Sequence, residues 1–546
     1  MGSRNTDFDN AKLDAYTELD VAIVGAGFGG VYQLKRLRDE GYNVKLLEAG
    51  SGYGGVWHWN RYPGARVDSP IPFYEFDDPD LWKQWSWGQR FPDHNELRNY
   101  FDFVAEKWNL RKDTQFNTFV QSASWDDGEA QWTIKTREGE TFKAKYLSLN
   151  IGFAAKRYIP EWNGAGSFKG TFLHPSYWPH DGVDLANKKV AVIGTGCTGV
   201  QLATELTPIV SDLTIFRRSV NVSLPMRQEN YRNGEQSHPR EDYPRLFKGR
   251  NECFTGFDFR FLSRKTFEDD AETRRKTYEK LWAEGDFSFW VATYSDMLFD
   301  SAANREAYNF WRDKTRAKIN DPRLQDLLAP MEQPYAFGCK RVSLEQGYYE
   351  IFNEPHVHLV DVNATPIEEI TEKGIKTSEK EHEFDVIICA TGFDAWTGGL
   401  RQIDIKGPTG ETLDHHWKDG VYTHLGMTVG GFPNMFMSYA PQSPSAFCNG
   451  PTCAQMQGDW IVNAVNHMKQ KGLKKMTPDR KAEEEWRAAV IKIADATLLP
   501  GTNTWYMGDN IPGKPREPLI YLGGVDHYYK TINEAAANGY DGFKIE

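Results

Sequence analysis

The sequence predicts an α/β fold made of two doubly wound domains, the second of which is interrupted by a helical insertion. A strand, a glycine-rich turn, a helix and a second strand follow one another near the N-terminus, and the same pattern recurs 169 residues later, from Gly25 to Gly194. A charged segment with spaced aromatic residues comes after the second copy. Strand, turn, helix and parallel strand make up the βαβ unit of doubly wound sheets.

The first copy begins with the apolar run 21–24, which breaks into the turn GAGFGG and resumes as a strand that closes on Glu48. The glycines of its G-x-G-x-x-G motif are Gly25, Gly27 and Gly30. The first permits a tight turn, the second lets the backbone approach a pyrophosphate, and the third lets the helix pack on the strand. Glu48 can accept hydrogen bonds from both ribose hydroxyls and would repel a 2′-phosphate. This Rossmann-like unit therefore favours FAD.

The second copy runs from strand 189–193 into the turn GTGCTG. The glycines of its G-x-G-x-x-G motif are Gly194, Gly196 and Gly199, and they predict a second nucleotide site. Where the first copy ends in an acid, this one ends in Arg217, Arg218 and Ser219. Guanidinium groups at that place suit the 2′-phosphate of NADPH, the alternative being a solvated basic strand end.

The domain boundaries follow from changes in composition. Between about 240 and 328 the chain is strongly charged with spaced aromatics, which favours amphipathic helices. A further buried strand ends in a glycine turn at Gly392. The predicted order is residues 1–153 for the first part of the FAD domain, 154–224 for the NADP domain, 225–334 for the helical insertion, 335–389 for the rest of the NADP domain, and 390–546 for the rest of the FAD domain with a C-terminal loop region.

Composition excludes several partners. Lys and Arg number 64 against 76 Asp and Glu, a net charge of −12, so neither nucleic acid nor an anionic membrane surface is an expected partner. No run of 18 apolar residues suggests a membrane span. The six cysteines are scattered, with Cys448 and Cys453 interpreted as unrelated thiols, which predicts a reducing, cytoplasmic location. The oligomeric state cannot be read from the sequence, and a monomer is the working expectation.

Two nucleotides of this kind serve reductases, disulfide oxidoreductases and oxygenases. A disulfide oxidoreductase of the common type needs paired cysteines near the first turn, and residues 1–150 contain none. The pairs His356/His358 and His415/His416 lack further ligands at useful spacing, so no metal site is predicted.

Two longer patterns narrow the class. Residues 168–180 fit F-x-G-x-x-x-H-x-x-x-W-P-[DH], and residues 55–68 fit G-x-W-x-x-x-x-Y-P-G-x-x-x-D. Both resemble the fingerprints of type I Baeyer–Villiger monooxygenases, and the resemblance extends from Asp20 to about Lys530. Flavin-containing monooxygenases share the glycine turns but usually lack the pair that is Trp178-Pro179 here.

The resemblance implies a reaction. NADPH reduces FAD, O₂ adds to the flavin as a peroxide, and this attacks a ketone to give an ester or lactone; sulfides could be oxygenated too. Developing negative charge calls for a preorganised cation in a dry pocket. Arg341, in the family-like segment 338–341, is the predicted catalytic cation, and Asp68 would orient it.

The resemblance also implies further roles, with a purely structural role as the alternative for several. The cofactor-binding residues it adds are Gly55, Trp57, Asp68, Thr195 (at the NADP pyrophosphate with Gly196), Ser219, Lys340 (at the 2′-phosphate with Arg218) and Trp505 (at the nicotinamide ribose). His174 would be a positioning residue, and Ser445, Ala446 and Phe447 would line the substrate pocket. Phe153 and Arg157 depart from the family pattern near the nicotinamide.

Three other functions stay open from the sequence: a flavin-containing monooxygenase acting on nitrogen or sulfur, an NADPH-dependent flavoprotein reductase, and a non-catalytic dinucleotide sensor.

Overall fold

The computed structural model describes residues 16–232 and 234–546. The predicted start of the FAD domain at residues 1–15 lies outside these ranges. The strands are Thr17–Val24 (β1), Val44–Leu47 (β2), Thr114–Gln115 (β3), Val120–Asp126 (β4), Gln131–Thr136 (β5), Thr141–Leu149 (β6), Thr171–Leu173 (β7), Lys189–Ile193 (β8), Asp212–Arg217 (β9), Ser223–Pro225 (β10), Ser343–Glu345 (β11), Val357–Asp361 (β12), Ile367–Ile370 (β13), Gly374–Thr377 (β14), Glu381–Glu383 (β15), Val386–Cys389 (β16), Asp404–Lys406 (β17), Met435–Met437 (β18), Met476–Pro478 (β19) and Phe543–Ile545 (β20).

The helices lie between these strands, in several places as consecutive groups. They are Phe28–Asp39 (α1), Val56–Trp59 (α2), Pro79–Trp82 (α3), His94–Lys107 (α4), Cys197–Leu206 (α5), Tyr243–Arg250 (α6), Ala271–Ala283 (α7), Ser288–Val291 (α8), Ser301–Arg316 (α9), Pro322–Leu328 (α10), Thr397–Leu400 (α11), Leu413–His416 (α12), Gly450–Lys471 (α13), Arg480–Asp495 (α14) and Val525–Ala537 (α15). Within the described ranges, none of them combines the length and the apolar character that crossing a membrane would require.

The first sheet has the strand order β17-β4-β5-β6-β1-β2-β3, with β18 also paired to β6. Its centre is parallel, and the register places Val24 opposite both Leu47 and Leu149. The carboxyl ends of β1, β2 and β6 therefore meet at one edge, where ligands bind in doubly wound sheets. The strands come from two distant stretches of chain, because β17 and β18 follow all strands of the second sheet.

The second sheet is parallel throughout, in the order β12-β9-β8-β16-β7. Ile193 lies opposite Phe216 and Cys389, so the turn at Gly194 and the chain after β9 and β16 share one edge. Val190 and Val192 are completely buried, as expected for strands covered on both faces. The predicted α/β class with two nucleotide-binding sheets is confirmed.

Helices α6 to α10 lie in the chain between β10 and β11, within the segment predicted as a helical insertion. Asp300 caps the N-terminus of helix α9, and its carboxylate accepts hydrogen bonds from the amides of Ala302 and Ala303. The opposite end packs inward through Trp311, which donates to the carbonyl of Ser223 at 2.9 Å. The exact domain boundaries stay predictions.

A buried ionisable pair joins α6 to the first domain. Arg250 donates to the backbone carbonyls of Phe73 and Glu75 at 3.0 and 2.9 Å. The Glu75 side chain is 1% exposed, and its Oε1 has no hydrogen-bond partner among the described residues. Burial raises the pKa of Glu75 to about 8, although Arg250 works against this shift.

We expect Glu75 to make folding stability fall as pH rises. Its pKa is raised in the folded state, so the folded protein binds the proton more tightly than the unfolded chain does. The free energy of unfolding that this proton contributes is lost as the pH rises from about 4.5 to about 8. Glu75→Gln, which mimics the protonated carboxyl, should gain on the order of 1 kcal/mol per pH unit over wild type in that window. Urea unfolding of both proteins from pH 5 to 8 measures this, and parallel curves would show that the assignment is wrong.

Candidate active site

A cleft of about 1800 Å³ lies between the two sheets and brings together both glycine turns, the segment around Arg341 and the loop of Trp505. Pockets for single drug-sized ligands have volumes of about 300–1,000 Å³, so this cleft is large enough for more than one ligand.

The first glycine turn has the geometry that a nucleotide cradle needs. Gly25 has φ +100°, and a Cβ there would lie 2.5 Å from the Asn150 carbonyl oxygen. A Cβ on Gly30 would lie 1.9 Å from the Gly25 carbonyl oxygen, so helix and strand touch there. Gly27 precedes α1, and no side chain caps the amides of the first turn. These free amides and the helix dipole fit a pyrophosphate.

The second turn repeats the arrangement. Gly194 has φ +111°, and its Cβ would lie 2.3 Å from the Ala390 carbonyl oxygen, while a Cβ on Gly199 would lie 2.1 Å from the oxygen of Gly194. At Gly196 a Cβ would meet no atom within 4 Å, and no side chain caps α5. Thr195 turns its hydroxyl away to the carbonyl of Ser219 at 3.2 Å, which fixes the chain after β9.

Glu48 closes the first cradle at the end of β2. Its carboxylate is buried and accepts hydrogen bonds from the amides of Ala26 at 2.7 Å and Gly50 at 2.6 Å. Burial raises the pKa of Glu48, while these two amides lower it. The carboxylate lines the cleft and retains free lone pairs, as a partner for ribose hydroxyls requires.

The second fingerprint lies over the first cradle. Gly55 has φ +54°, and its Cβ would come within 3.0 Å of the Gly27 Cα. Trp57 lines the cleft and donates its indole N–H to the hydroxyl of Tyr74 at 3.0 Å. Both residues therefore lie where a flavin nucleotide held by the first turn would pass.

A cationic corner marks the second cradle. Arg218, Ser219 and Lys340 line the cleft, and no described carboxylate oxygen lies within 4.0 Å of either cation. Burial and the charge of Arg218 lower the pKa of Lys340, while Asp509 opposes that shift. Two cations that line the same cleft, both without a paired carboxylate among the described residues, suit a phosphate group.

Arg217, whose guanidinium was expected beside that of Arg218, does not line this corner. Arg217 is buried and pairs with Asp361 at 2.8 Å. Asp361 lies directly opposite it on β12. The prediction of two guanidinium groups for the 2′-phosphate is therefore wrong for Arg217, because side chains of successive strand residues point to opposite faces.

Arg341 and Asp68, 273 positions apart in the chain, form a bidentate pair with N–O distances of 2.6 and 2.8 Å. One quarter of the Arg341 side chain is exposed, and it faces the cleft. Burial disfavours its charge, yet Asp68 and the thiol of Cys197 hold the pKa of Arg341 well above its ordinary value. The pair thus presents a fixed, permanently charged guanidinium.

The sequence did not predict that Cys197 contacts Arg341. Its sulfur lies 3.1 Å from a guanidinium nitrogen of Arg341 and 3.2 Å from the hydroxyl of Ser343. The available signal was its position as the first residue of α5, directly after the Gly196 turn.

His174 holds the turn after β16 rather than facing a substrate. Its Nε2 lies 3.0 Å from the carbonyl oxygen of Gly392, and its Nδ1 accepts a hydrogen bond from the backbone N–H of Ser176 at 3.2 Å. Burial lowers the pKa of His174 to about 4, so the ring is neutral near pH 7. Gly392 lines the cleft, and the role of His174 as a positioning residue stays a prediction.

Only two of the three residues predicted to line the substrate pocket do so. Ala446 and Phe447 line the cleft, and Phe447 packs on Trp290 with ring centroids 5.2 Å apart. Ser445 is fully buried, and its hydroxyl accepts a hydrogen bond from Trp396 at 2.9 Å. The expectation that Ser445 lines the pocket is therefore wrong.

Cys448 and Cys453 form a disulfide, with Cα atoms 6.2 Å apart. The interpretation as two unrelated thiols is wrong, because the start of α13 folds the second cysteine back towards the first. The argument for a reducing compartment assumed free thiols here, and the cytoplasmic location stays a prediction.

Trp505 lines the cleft and stacks on Phe153 at 5.6 Å, with 22° between the rings. Arg157 lies over the ring of Tyr177, with its guanidinium carbon 4.1 Å from the ring centroid. The two departures from the family pattern therefore pack on aromatic rings at this end of the cleft.

Two uncapped nucleotide cradles that meet at a fixed arginine define a flavin- and NADPH-dependent oxygenase. Residues 18–224 match the family profile described as flavin-binding monooxygenase-like. Relatives that are 44% and 40% identical over 97% of the chain are named as ketone monooxygenases, so the chain belongs to this family and, within it, to the type I Baeyer–Villiger monooxygenases; FAD and NADPH are its cofactors.

Particular relatives resemble nearly the whole chain. It is 44% identical to cyclopentanone 1,2-monooxygenase of Comamonas sp., over 97% of this chain and 96% of the relative. It is 40% identical to acetone monooxygenase (methyl acetate-forming) of Gordonia sp., over 97% and 99%. The crystal structure of OTEMO in complex with FAD and NADP superposes with a TM-score of 0.93 at 32% identity, over 97% and 100%.

Proposed function

We propose that the protein oxygenates small to medium apolar ketones, open-chain or cyclic, to esters or lactones. The observation that carries this proposal is the Asp68-bound guanidinium of Arg341 in front of an apolar wall. The overall reaction would convert ketone, O₂, NADPH and a proton into ester or lactone, NADP⁺ and water.

The apolar wall comes mainly from the helical segment between β10 and β11. Its members in the cleft are Phe257, Phe287, Trp290, Val291 and, from the late loop, Phe447. The guanidinium carbon of Arg341 lies 5.7 Å from the ring centroid of Phe287. Such a wall excludes water and offers no carboxylate to a charged amine, which favours a neutral apolar substrate.

FAD, once reduced by NADPH, would supply together with O₂ the oxygen atom that is transferred. The chain's own residues would do the rest. Gly27, Gly196 and the amides that follow them would bind the pyrophosphates, and Arg218 with Lys340 would bind the 2′-phosphate. Arg341 would stabilise the negative charge that develops on the ketone oxygen, since a preorganised cation in a dry site costs no reorganisation during the reaction. Asp68 would keep that cation in place.

The substrates for which two relatives are named support this substrate class. The Comamonas relative is named for cyclopentanone and the Gordonia relative for acetone, which bracket a small cyclic and a small open-chain substrate. At Arg341 the cleft would offer both ketones the same contacts, an apolar wall and one fixed guanidinium.

NADPH consumption under O₂ with a panel of ketones, a sulfide and a tertiary amine tests the proposal. We expect products one oxygen heavier than the ketones, identified by mass as esters or lactones. Oxygenation of the amine and sulfide alone would support a flavin-containing monooxygenase instead. NADPH oxidation without any oxygenated product would support a reductase, and no NADPH oxidation would support a dinucleotide sensor.

A further inference from the structure

Trp396 lies behind the cleft wall, between the loop that carries Trp505 and the loop that carries Ser445. Its side chain is fully buried. One face stacks on Trp505, with centroids 4.6 Å apart and 16° between the planes, and Phe153 lies 5.9 Å away. Its indole N–H donates to the hydroxyl oxygen of Ser445 at 2.9 Å. One side chain thus contacts both loops.

The backbone of Trp396 is held in a strained conformation. It has φ 61° and ψ −63°, and the amide of Thr397 donates to the carbonyl of Ala395 at 2.8 Å, which closes a three-residue turn. The Trp396 amide is held by the carbonyl of Phe153 at 3.0 Å. Non-glycine residues keep such conformations only where their surroundings fix them, and these positions cluster at functional sites.

The hydrogen bond from Trp396 to Ser445 connects Trp396 to the residues that form the substrate wall. The Ser445 hydroxyl accepts from Trp396 and donates to the carbonyl of Ser443 at 3.3 Å, so its position is fixed from both sides. Ser445 opens the short helical turn Ser445–Phe447, whose other two residues line the cleft. Ser445 therefore links Trp396 directly to the turn that carries Ala446 and Phe447.

We propose that Trp396 is a positioning residue that couples the Trp505 loop, on the nicotinamide side, to the Ala446–Phe447 wall on the substrate side. This inference rests on the proposed function for the identity of the substrate, but the coupling is a property of the two loops. A nucleotide that contacts Trp505 also biases the substrate wall, and by linkage a bound ketone biases the Trp505 loop by the same factor.

Three variants separate the two contacts. Trp396→Phe keeps an aromatic face for Trp505 but loses the N–H; Ser445→Ala loses the acceptor; Trp396→Leu loses both contacts. We expect Trp396→Phe and Ser445→Ala each to raise the KM for ketone about fivefold, because the loss of one neutral hydrogen bond has an effect of that order. The KM for NADPH should stay within about twofold of wild type. The double variant should match Ser445→Ala, because that single variant already lacks the bond that Trp396→Phe removes. Trp396→Leu should raise both KM values and lower the yield of product per NADPH.

Hydrogen exchange of the FAD-loaded protein gives a readout that needs no ketone. Adding NADP⁺ to wild type should protect the amides of both 501–512 and 443–449. In Trp396→Phe the protection should persist in 501–512 and be lost in 443–449, and in Trp396→Leu it should be lost in both.

The outcomes are decisive in each direction. Wild-type exchange and KM values in Trp396→Phe, additive effects in the double variant, or a lower unfolding temperature with no other change would overturn the coupling. Loss of protection as expected, in a protein that forms no ester or lactone, would support the coupling while refuting the proposed function.

Discussion

Arg341→Ala should lower ester or lactone formation by about a hundredfold to a thousandfold, while NADPH still reduces the flavin at close to the wild-type rate. The guanidinium donates two hydrogen bonds to the Asp68 carboxylate and keeps its charge in the cleft. Loss of one preorganised donor at a developing oxyanion costs about that much in other enzymes. Anaerobic reduction measured by stopped flow and product formation measured by mass spectrometry separate the two half-reactions.

Two variants control this experiment. Asp68→Asn leaves the cation but removes the charge that orients it, so its loss should fall between wild type and Arg341→Ala. Arg275→Ala removes an exposed arginine far from any motif and should leave both half-reactions unchanged. Slow flavin reduction combined with intact oxygen transfer in Arg341→Ala would show that this residue serves NADPH rather than the ketone.

Arg218→Ala and Lys340→Ala should each raise the KM for NADPH about 10-fold to 100-fold and leave the KM for NADH nearly unchanged. Neither cation has a carboxylate partner among the described residues, and burial together with the charge of Arg218 lowers the pKa of Lys340. A hydrogen bond between a charged group and a phosphate contributes about 1.5–3 kcal/mol, which corresponds to this range. Steady-state kinetics with both nucleotides measures the ratio.

Lys169→Ala is the matched control, because Lys169 is an exposed lysine of the same domain. Equal increases in the KM for NADPH and NADH would place the two cations at a phosphate that both nucleotides share, and would contradict the assignment to the 2′-phosphate.

The two cradles were predictable because their chemistry is local. Each needs a strand, three glycines at fixed spacing and a helix, all within about 30 residues. Gly25, Gly30, Gly194 and Gly199 occupy the close approaches that the motif requires. Arg341 and Asp68 lie far apart in sequence, and only resemblance to a family could predict that they meet.

The errors all involve contacts between distant or folded-back segments. Arg217 forms an ion pair with Asp361 and does not line the cleft, because the register of β9 and β12 places these two residues opposite each other. Ser445 turns inward because Trp396, 49 positions earlier, offers it a buried donor. Cys448 meets Cys453 because a helix starts between them. No local pattern carries that information.

The most direct test of the account is oxygenation of cyclopentanone under ¹⁸O₂ with NADPH, with the product analysed by mass. We expect a lactone that carries one ¹⁸O atom, formed in proportion to the NADPH consumed. A lactone without the label, or NADPH consumption with cyclopentanone, acetone and every other ketone of the panel recovered unchanged, would contradict the central claim that this cleft transfers oxygen to a ketone.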